Sequence, residues 1–412
     1  MLVYPLTYII NCSIACGKFP SYWKEAKVSP LLKKSDKVKT ELQNYRPVAL
    51  LSVPGMVLEK IVANQIERFF ETNKLFGEFQ FGFRKNKSTI SELLTLFDRL
   101  LEAKNNKKEI ALLMYDLSAA FDTIEPKILC EKLKIYGFNK LSLEWVASFL
   151  TGRRQSVIVD GQLSSQLEIN IGTPQGSRLS PLLFVIMMAD LDLWVNQSYL
   201  TNFADDTQSI VISDTKENLI STTKAESSAV ISFFSANNLV NNSDKASLMY
   251  NSKGLDDKIE LDIGSKNIKS KDSEKLLGLQ VSSKLDWKAH TDKICRKLKQ
   301  TMGILNRIQY KIPKNKLLLV AEAIFNSKIR YGIAIYFKPR LNMDDPLCKD
   351  SRNIQILQND MIRIIRGLKR SDKINMARIR KQIGMMSVNQ MACYHILMET
   401  YNIIQNGSSE DI

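Results

Sequence analysis

The chain has 412 residues, which exceeds the usual size of one domain and predicts two or three packed subdomains. Apolar residues make up 44% of it, enough for a sizeable core, and this excludes a disordered protein. A total of 58 Lys and Arg against 43 Asp and Glu gives a net charge of +15, which favours nucleic acid over an anionic membrane as partner.

Cysteine and histidine positions give no metal-binding pattern. Only Cys12 and Cys16 are close in sequence, and His290 and His395 are far apart, so we expect free thiols in a reducing compartment. No stretch approaches the roughly 20 apolar residues of a membrane span. Residues 1–16 lack the basic start of a secretory signal. The chain is therefore predicted to be soluble and intracellular, in the nucleus or cytoplasm, with no membrane partner.

Helical and extended patterns alternate along the first 280 residues. Residues 1–16 have the apolar spacing of a short helix, and Pro47 follows a basic loop at 33–46 that strands are expected to flank. Further helices are predicted at 57–70, 93–101, 126–150 with a break at Gly137, 181–191 and 222–238. Strands are predicted at 110–114, 156–159, 200–203 and 209–212.

Two amphipathic helices are predicted after residue 285. The first, at 290–310, has an apolar face and a basic face, and the second has an apolar stripe from Ile354 to Leu368. Solvated basic faces are the ordinary interpretation of such helices. Basic faces turned toward a nucleic-acid duplex are the alternative, and they become the better interpretation if the preceding residues act on nucleic acid.

Three carboxylates follow predicted strands. Asp116 ends the apolar run 110–114, and Asp205 with Asp206 forms a turn between two short strands. Adjacent carboxylates repel each other, so a bound cation would explain them, although a solvated Asp-Asp turn is common. Two divalent ions about 3.5–4 Å apart can activate a hydroxyl and stabilise the leaving oxygen of a phosphoryl transfer. Oxygen ligands suit Mg²⁺.

The segments around these carboxylates resemble the catalytic motifs of reverse transcriptases. Residues 116–122 read Asp-Leu-Ser-Ala-Ala-Phe-Asp, and residues 172–184 read Gly-Thr-Pro-Gln-Gly-Ser-Arg-Leu-Ser-Pro-Leu-Leu-Phe. The Phe-Ala-Asp-Asp sequence at 203–206 comes third in order. In order and spacing, the chain is similar to the polymerase of non-LTR (LINE-like) retrotransposons.

Further segments extend this resemblance over nearly the whole chain. They are Phe-Pro-Ser-Tyr-Trp-Lys at 19–24, Asn-Tyr-Arg-Pro-Val-Ala-Leu at 44–50, Gln-Phe-Gly-Phe-Arg at 80–84, Leu-Leu-Gly-Leu at 276–279, and Leu-Gln-Asn at 357–359. The resemblance implies an α+β fold: a right-hand polymerase with fingers, an α/β palm and a helical thumb. The implied domains are an N-terminal extension (1–26), fingers and palm (27–280), thumb (281–340) and a helical connector (341–412).

The resemblance assigns Asp116, Asp205 and Asp206 as the catalytic triad, holding two Mg²⁺ ions, with Mn²⁺ as an alternative. Phe121 matches the family's steric gate, in which an aromatic ring beneath the sugar excludes a 2′-hydroxyl and so selects deoxynucleotides. Its alternative is an ordinary core position.

Other nucleotide contacts are implied by position in the same motifs. Gln175 and Gly176 match the segment against the incoming base and template, and Gly176 is expected to permit close approach of a backbone. Lys33 and Arg46 align with the fingers cations that hold the triphosphate. Lys245 matches a motif whose Lys could donate a proton to the departing pyrophosphate. An exposed surface cation is the alternative for each Lys and Arg.

Contacts with template and primer are expected from residues outside the catalytic motifs. These are Arg84, Gly278, Lys297, Arg363 and Arg366. For each basic residue an ordinary surface role is the alternative.

The function implied is RNA-directed DNA polymerisation, with an RNA template, a DNA primer or target DNA, and deoxynucleoside triphosphates as partners. No endonuclease, ribonuclease H or cysteine-rich motif is seen in these 412 residues, so nuclease activity is expected from elsewhere. Two alternatives remain. One is a truncated or domesticated, catalytically silent nucleic-acid-binding remnant, and the other an intron maturase, against which the segments 19–30 and 358–359 argue.

Overall fold

The computed structural model describes residues 2–34, 36–252, 257–264, 266–340 and 347–406. The chain divides into two compact units. The first comprises residues 1–87, 111–248 and 259–269, and the second 88–110, 249–258 and 270–412.

The helices are numbered in chain order. They are α1 (Val3–Ala15), α2 (Val53–Thr72), α3 (Thr89–Asn105), α4 (Pro126–Ile135), α5 (Lys140–Leu150), α6 (Ser180–Met187), α7 (Lys216–Ala236), α8 (Lys288–Ile308), α9 (Lys314–Ala321), α10 (Ser327–Arg330), α11 (Ile333–Tyr336), α12 (Lys349–Arg366), α13 (Met376–Gln382) and α14 (Val388–Asn406). Every helix that the apolar spacing predicted is present, and the predicted break at Gly137 separates α4 from α5.

The strands are numbered in the same way. They are β1 (Glu25–Leu32), β2 (Tyr45–Leu50), β3 (Glu109–Tyr115), β4 (Arg153–Val159), β5 (Gln162–Leu163), β6 (Leu167–Ile169), β7 (Ser198–Phe203), β8 (Asp206–Ser213), β9 (Ser247–Asn251), β10 (Glu260–Ile263), β11 (Lys266–Lys269), β12 (Ser273–Leu276) and β13 (Leu279–Ser282). The four predicted strands are confirmed.

Two sheets lie wholly or mostly in the first unit. One has the order β2-β1-β4-β5, in which β1 is antiparallel to β2 and parallel to β4. The other has the order β7-β8-β3-β9. Every residue of β3 is buried, as expected for an unbroken apolar run in a central strand. The sheet therefore presents the end of β3 beside the β7–β8 hairpin.

Helices α6 and α7 differ from their predicted bounds. Helix α6 ends at Met187, short of residue 191, where Lys132 Nζ donates a hydrogen bond of 2.8 Å to the Met187 carbonyl and forms an ion pair with Asp190. A cation is favourable at a helix C-terminus because the last carbonyls lack intrahelical donors. Helix α7 begins at Lys216, six residues before the predicted start, because Thr215 caps it. Neither polar contact can be predicted from the spacing of apolar residues alone.

The second unit has a helical core. Ile354, Leu357 and Met361 of α12 are buried together with Ile294 and Leu298 of α8. These are the apolar stripes that the sequence predicted for the two amphipathic helices. Helices from both sides of residue 340 lie in this unit, while the division between thumb and connector at that residue stays a prediction. No helix in the described ranges is both long and apolar enough to cross a membrane.

Candidate active site

The Asp116 carboxylate stands at the end of the buried strand β3. Its backbone is fixed by the segment 240–242, because the Asn242 N–H donates to the Asp116 carbonyl at 2.8 Å. The Ser118 N–H donates to the Val240 carbonyl, also at 2.8 Å. The predicted position of Asp116 at a strand end is confirmed, and its backbone is held by the 240–242 segment.

Asp205 lies in the tight turn between β7 and β8. Phe203 pairs with Asp206 in the antiparallel register, which leaves Ala204 and Asp205 as a two-residue connection. Ala204 has a φ of 58°, the left-handed conformation that such turns require at a central position. The predicted hairpin is confirmed, and it presents Asp205 and Asp206 at one end of the sheet.

The Asp205 carboxylate occupies an unfavourable electrostatic position. Burial raises its pKa above the ordinary aspartate value, and the negative charge of Asp116 raises it further. A backbone hydrogen bond and the positive charges of Arg46 and Lys245 act in the opposite direction. Asp116 and Asp205 therefore interact as like charges, and a cation between them would be stabilised.

The chemistry of these carboxylates suits a hard divalent cation, because Mg²⁺ prefers oxygen ligands. A partly buried carboxylate destabilised by a second one is also the environment that a cation would relieve. In the described part of the chain, however, no three His, Cys, Asp or Glu side chains are placed so that they could hold a metal ion. The three-carboxylate metal site stays a prediction, supported by the donor chemistry of Asp116 and Asp205.

Lys245 contacts the site directly. Its Nζ lies 2.8 Å from Asp116 Oδ2, and both side chains are partly exposed. The turn at 242–245 that carries it is closed by a hydrogen bond of 3.0 Å from the Lys245 N–H to the Asn242 carbonyl. Lys245 thus supplies a positive charge to the carboxylates. Proton donation by Lys245 stays a prediction.

Phe121 lies in the loop between β3 and α4 and is partly buried. Its ring centroid is 5.3 Å from that of Phe184 and 6.4 Å from that of Phe83. The Phe121 carbonyl accepts a hydrogen bond of 2.8 Å from the Thr173 N–H, which ties this loop to the 172–177 segment. The ring is therefore fixed between neighbours, while its role as a steric gate stays a prediction.

Gln175 and Asp122 form a direct contact in the same region. Gln175 Nε2 donates to both carboxylate oxygens of Asp122, at 3.0 Å each. Burial raises the pKa of Asp122, whereas the Gln175 hydrogen bond and the charge of Lys33 lower it. The structure thus brings Gln175 and Lys33 to Asp122.

Gly176 permits the close backbone approach that the sequence predicted. Its φ is 119°, and a Cβ atom there would lie 2.8 Å from the Ala49 carbonyl oxygen. The neighbouring Gln175 carbonyl accepts a hydrogen bond of 2.8 Å from the Ala49 N–H. The 172–177 segment is therefore fastened to β2, the strand that also carries Arg46.

Glu59 of α2 is a residue that the sequence interpretation missed. Its side chain is buried, and Oε2 accepts hydrogen bonds from Ser177 Oγ at 2.6 Å and from the Arg178 N–H at 2.9 Å. Ser177 Oγ in turn accepts from the Leu179 N–H at 3.0 Å, at the start of α6. The available signal was a charged residue beside Leu58 on the apolar face of α2.

Replacing Glu59 by Leu should destabilise the protein. Ser177 and the Arg178 N–H would lose a buried acceptor, and an unsatisfied buried group costs about 1–3 kcal/mol. We expect the free energy of unfolding in urea to fall by roughly that amount for Glu59→Leu and by less for Glu59→Gln, which keeps an acceptor oxygen. Equal stability of the Leu variant and the wild type would contradict this role.

Arg84 is engaged within the first unit. Its Nε and Nη2 donate to the two oxygens of Glu71, at 3.1 and 2.9 Å, and Nη1 donates to the Gly77 carbonyl at 3.0 Å. Its side chain is only 13% exposed. These hydrogen bonds hold the 77–84 loop against α2. The predicted template contact of Arg84 stays a prediction and would have to compete with them.

The other predicted template and primer contacts lie in the second unit. Gly278 has a φ of 92°, and a Cβ there would lie 2.8 Å from a Tyr331 ring carbon, so close packing accounts for this glycine. Arg363 donates to Asp360 at 3.0 Å and is half-buried. Lys297 and Arg366 are exposed. Their contacts with nucleic acid stay predictions.

Comparisons with known proteins identify similar chains. The RNA-directed DNA polymerase from mobile element jockey of Drosophila melanogaster is 28% identical over 380 residues, covering 88% of this chain and 40% of its own length. The jockey polymerase of Drosophila funebris is 34% identical over 200 residues, covering 48% of this chain and 21% of its own. The chain thus spans less than half of either relative. Among solved structures, telomerase from Candida Tropicalis aligns over 94% of this chain and 68% of its own, with 12% identity and a TM-score of 0.47, too low to inform the site.

The family profile "Reverse transcriptase (RNA-dependent DNA polymerase)" matches residues 32–281, which include all three carboxylates and every segment described around them. The mobile-element relatives confirm the predicted resemblance to non-LTR retrotransposon polymerases. The α+β right-hand polymerase class is confirmed with it. Because the match covers more than half of the 412 residues, the chain belongs to the reverse transcriptase family.

Proposed function

We propose that this chain is an RNA-directed DNA polymerase of a non-LTR retrotransposon, which extends a DNA primer on an RNA template. The observation that carries the proposal is the pairing of Asp116 with a partly buried Asp205 at adjacent strand ends, inside the segment that matches the reverse transcriptase family. Like-charged carboxylates in that position destabilise the fold, and a role in phosphoryl transfer would account for their presence.

Asp116, Asp205 and Asp206 would hold two Mg²⁺ ions, or Mn²⁺ in their place. When bound, such ions lower the pKa of an attacking hydroxyl and stabilise the leaving oxygen. Asp116 is held at its backbone by Asn242, and the Asp205 turn by the β7–β8 register, so the backbone that carries these carboxylates is fixed before substrate arrives. Such preorganisation is what positions a primer hydroxyl for in-line attack.

The chain's own cations would bind the incoming triphosphate. The charge of Arg46 acts on Asp205, and that of Lys33 acts on Asp122. Arg can bind phosphate oxygens with two donors and Lys with one. Gln175, bound to Asp122, would lie beside the base, and the Phe121 ring would lie beneath the sugar. This arrangement favours a deoxynucleotide.

The remaining partners follow from this reaction. We infer an RNA template and a DNA primer or nicked target as the polyanions that a net charge of +15 would bind. A protein acting on these partners, with six free cysteines, would work inside the cell, in the nucleus or the cytoplasm. Among the predicted duplex contacts of the second unit, Lys297 and Arg366 are exposed.

The direct test is primer extension by the purified chain. We expect labelled DNA primer on an RNA template to be extended with deoxynucleoside triphosphates and Mg²⁺, and extension to stop when a chelator is added. Primer–template binding without extension, under conditions where a known reverse transcriptase extends the same substrate, would contradict the proposal.

Removing Lys245 should strengthen binding of a divalent ion to the protein alone. Its ammonium competes for Asp116, and an exposed ion pair contributes roughly 0.2–1 kcal/mol, so Lys245→Met should tighten Mn²⁺ binding by up to about five-fold. Titration calorimetry without substrates separates this effect from any loss of proton donation. Lys224→Met, which removes an equal charge paired with Asp262, is the control. Weaker Mn²⁺ binding by Lys245→Met than by the wild type would contradict the proposal that Lys245 competes with a divalent ion for Asp116.

A further inference from the structure

The Ala204–Asp205 turn is strained and is held from outside the hairpin. The left-handed conformation of Ala204 is unfavourable for a residue with a side chain, and such conformations persist where surrounding contacts fix them. The fixing contacts come from residues 79–82, more than a hundred positions earlier in the chain. This segment has no role in the function proposed above.

Gln80 provides the first contact. Its side chain is buried, and Oε1 accepts hydrogen bonds from the Gly82 N–H at 2.8 Å and from the Ala204 N–H at 3.2 Å. Ala204 immediately precedes Asp205. One amide oxygen therefore links the 80–82 segment to the backbone of the turn.

The same side chain carries an energetic cost. Its Nε2 is buried and has no hydrogen-bond partner among the described residues. An unsatisfied buried donor destabilises the folded protein, and an apolar side chain of similar length would avoid that cost. The contacts made by Oε1 are therefore the physical reason for an amide at this position.

Backbone pairing fixes the segment against β7. The Phe81 N–H donates to the Asn202 carbonyl at 2.7 Å, and the Asn202 N–H donates to the Phe79 carbonyl at 2.8 Å. Gln80 and Asn202 consequently form a parallel bridge. Residues 79–82 thus extend along the strand that leads into the turn, which gives the Gln80 amide a defined position.

Gly82 provides the second contact, through the absence of a side chain. A Cβ atom there would lie 2.2 Å from the Ala204 nitrogen and 2.9 Å from the Phe203 carbonyl carbon. Both are backbone atoms of the hairpin and cannot move without moving the turn. Gly82 is not in the left-handed region, so its own backbone would accept an alanine. The obstacle is contact with the turn alone.

We propose that Gln80 and Gly82 are positioning residues that set the location of the Asp205–Asp206 turn for nucleotide transfer. The inference rests on the proposed polymerase function. Gln80 holds the Ala204 N–H from one side, and the bare Gly82 backbone sets how closely the turn approaches. Neither residue touches substrate in this role; both act through the carboxylates.

The test compares Gln80→Met and Gly82→Ala in single-nucleotide addition. A misplacement of about 1 Å can cost roughly 10²-fold in rate, so we expect kcat to fall by that order in both variants. The KM for deoxynucleotide and the Kd for primer–template should stay close to those of the wild type, and the half-saturating Mg²⁺ concentration should rise. A residue that merely stabilises the fold would not produce this division.

Matched substitutions control for loss of stability. Gln208→Met removes another buried amide, whose Oε1 accepts from Thr201 Oγ1 at 2.9 Å within the same hairpin. Gly303→Ala adds a methyl group in α8 where nothing lies within 4 Å. Both controls should retain wild-type kcat. Hydrogen exchange of the peptide containing Ala204 provides a readout without activity, and it should be faster in Gln80→Met than in Gln208→Met.

The outcomes separate the two proposals. An inactive wild type contradicts the polymerase function. The hydrogen-exchange measurement still tests whether Gln80 holds the Ala204 N–H. An active wild type with unchanged kcat in Gln80→Met and Gly82→Ala overturns the positioning role. Loss of primer–template binding in parallel with kcat also overturns it, because that indicates general disruption. If Gly82→Ala does not fold, the Gln80→Met comparison decides alone.

Discussion

Replacing Asp205 by Asn should abolish primer extension. The substitution preserves size and removes the charge that would help hold a divalent ion, and metal-assisted stabilisation of a phosphoryl transition state is worth several kcal/mol. Since each 1.36 kcal/mol is ten-fold in rate, we expect kcat to fall by roughly 10³-fold or more. Single-turnover extension on an RNA template measures the change. Asp160→Asn, in the exposed turn between β4 and β5, is the matched control and should remain active.

The same variant should be more stable than the wild type without metal. Burial and Asp116 raise the pKa of Asp205, so the folded protein holds a proton there at pH values where the unfolded chain has lost it. Stability therefore falls as pH rises from the ordinary aspartate range through the raised pKa. Asn escapes this penalty.

Thermal unfolding as a function of pH gives the measurement. Without metal, Asp205→Asn should have the higher Tm above the raised pKa, and its advantage should disappear at pH values below the ordinary aspartate range. Adding Mg²⁺ should raise the Tm of the wild type more than that of the variant, because a ligand stabilises only the folded form that binds it. A variant that is inactive and also less stable at neutral pH would point to structural damage instead.

Replacing Phe121 by Ala should relax selection of the sugar. The ring lies between Phe83 and Phe184, and its removal opens space where the resemblance to reverse transcriptases places the nucleotide sugar. A single group in a binding pocket discriminates by roughly 10–100-fold, so we expect the ratio of ribonucleotide to deoxynucleotide incorporation to rise within that range. Competition between the two nucleotide classes at one template position measures it.

Phe121→Tyr distinguishes the gate from packing. It keeps the ring and should keep the preference for deoxynucleotides, while Phe121→Ala loses it. Lower stability of Phe121→Ala with unchanged sugar selection would assign Phe121 to the core. That was the alternative interpretation of an aromatic residue in this position, and contact with the buried ring of Phe184 gives it a physical basis.

Local sequence patterns were enough to predict which segments form helices and which form strands. The apolar run 110–114 gave β3, and the break at Gly137 gave the division between α4 and α5, because burial periodicity and glycine act within a few residues. Helix ends were less accurate. Met187 ends α6 beside Lys132, a contact made across 55 residues that no local spacing reports.

The sequence by itself was enough to predict which three carboxylates form the candidate site, that they lie at strand ends, and which family the chain belongs to. Motif order and turn chemistry are local properties of the sequence. Only the tertiary structure decided what surrounds the carboxylates. Lys245 reaches Asp116 across 129 residues, Glu59 reaches Ser177 across 118, and Gln80 reaches Ala204 across 124. A hydrogen bond depends on the distance and direction between two groups that folding brings together. The spacing of apolar residues along the sequence gives no information about either. For that reason the candidate catalytic residues could be found in the sequence, and the contacts that hold them in place could not.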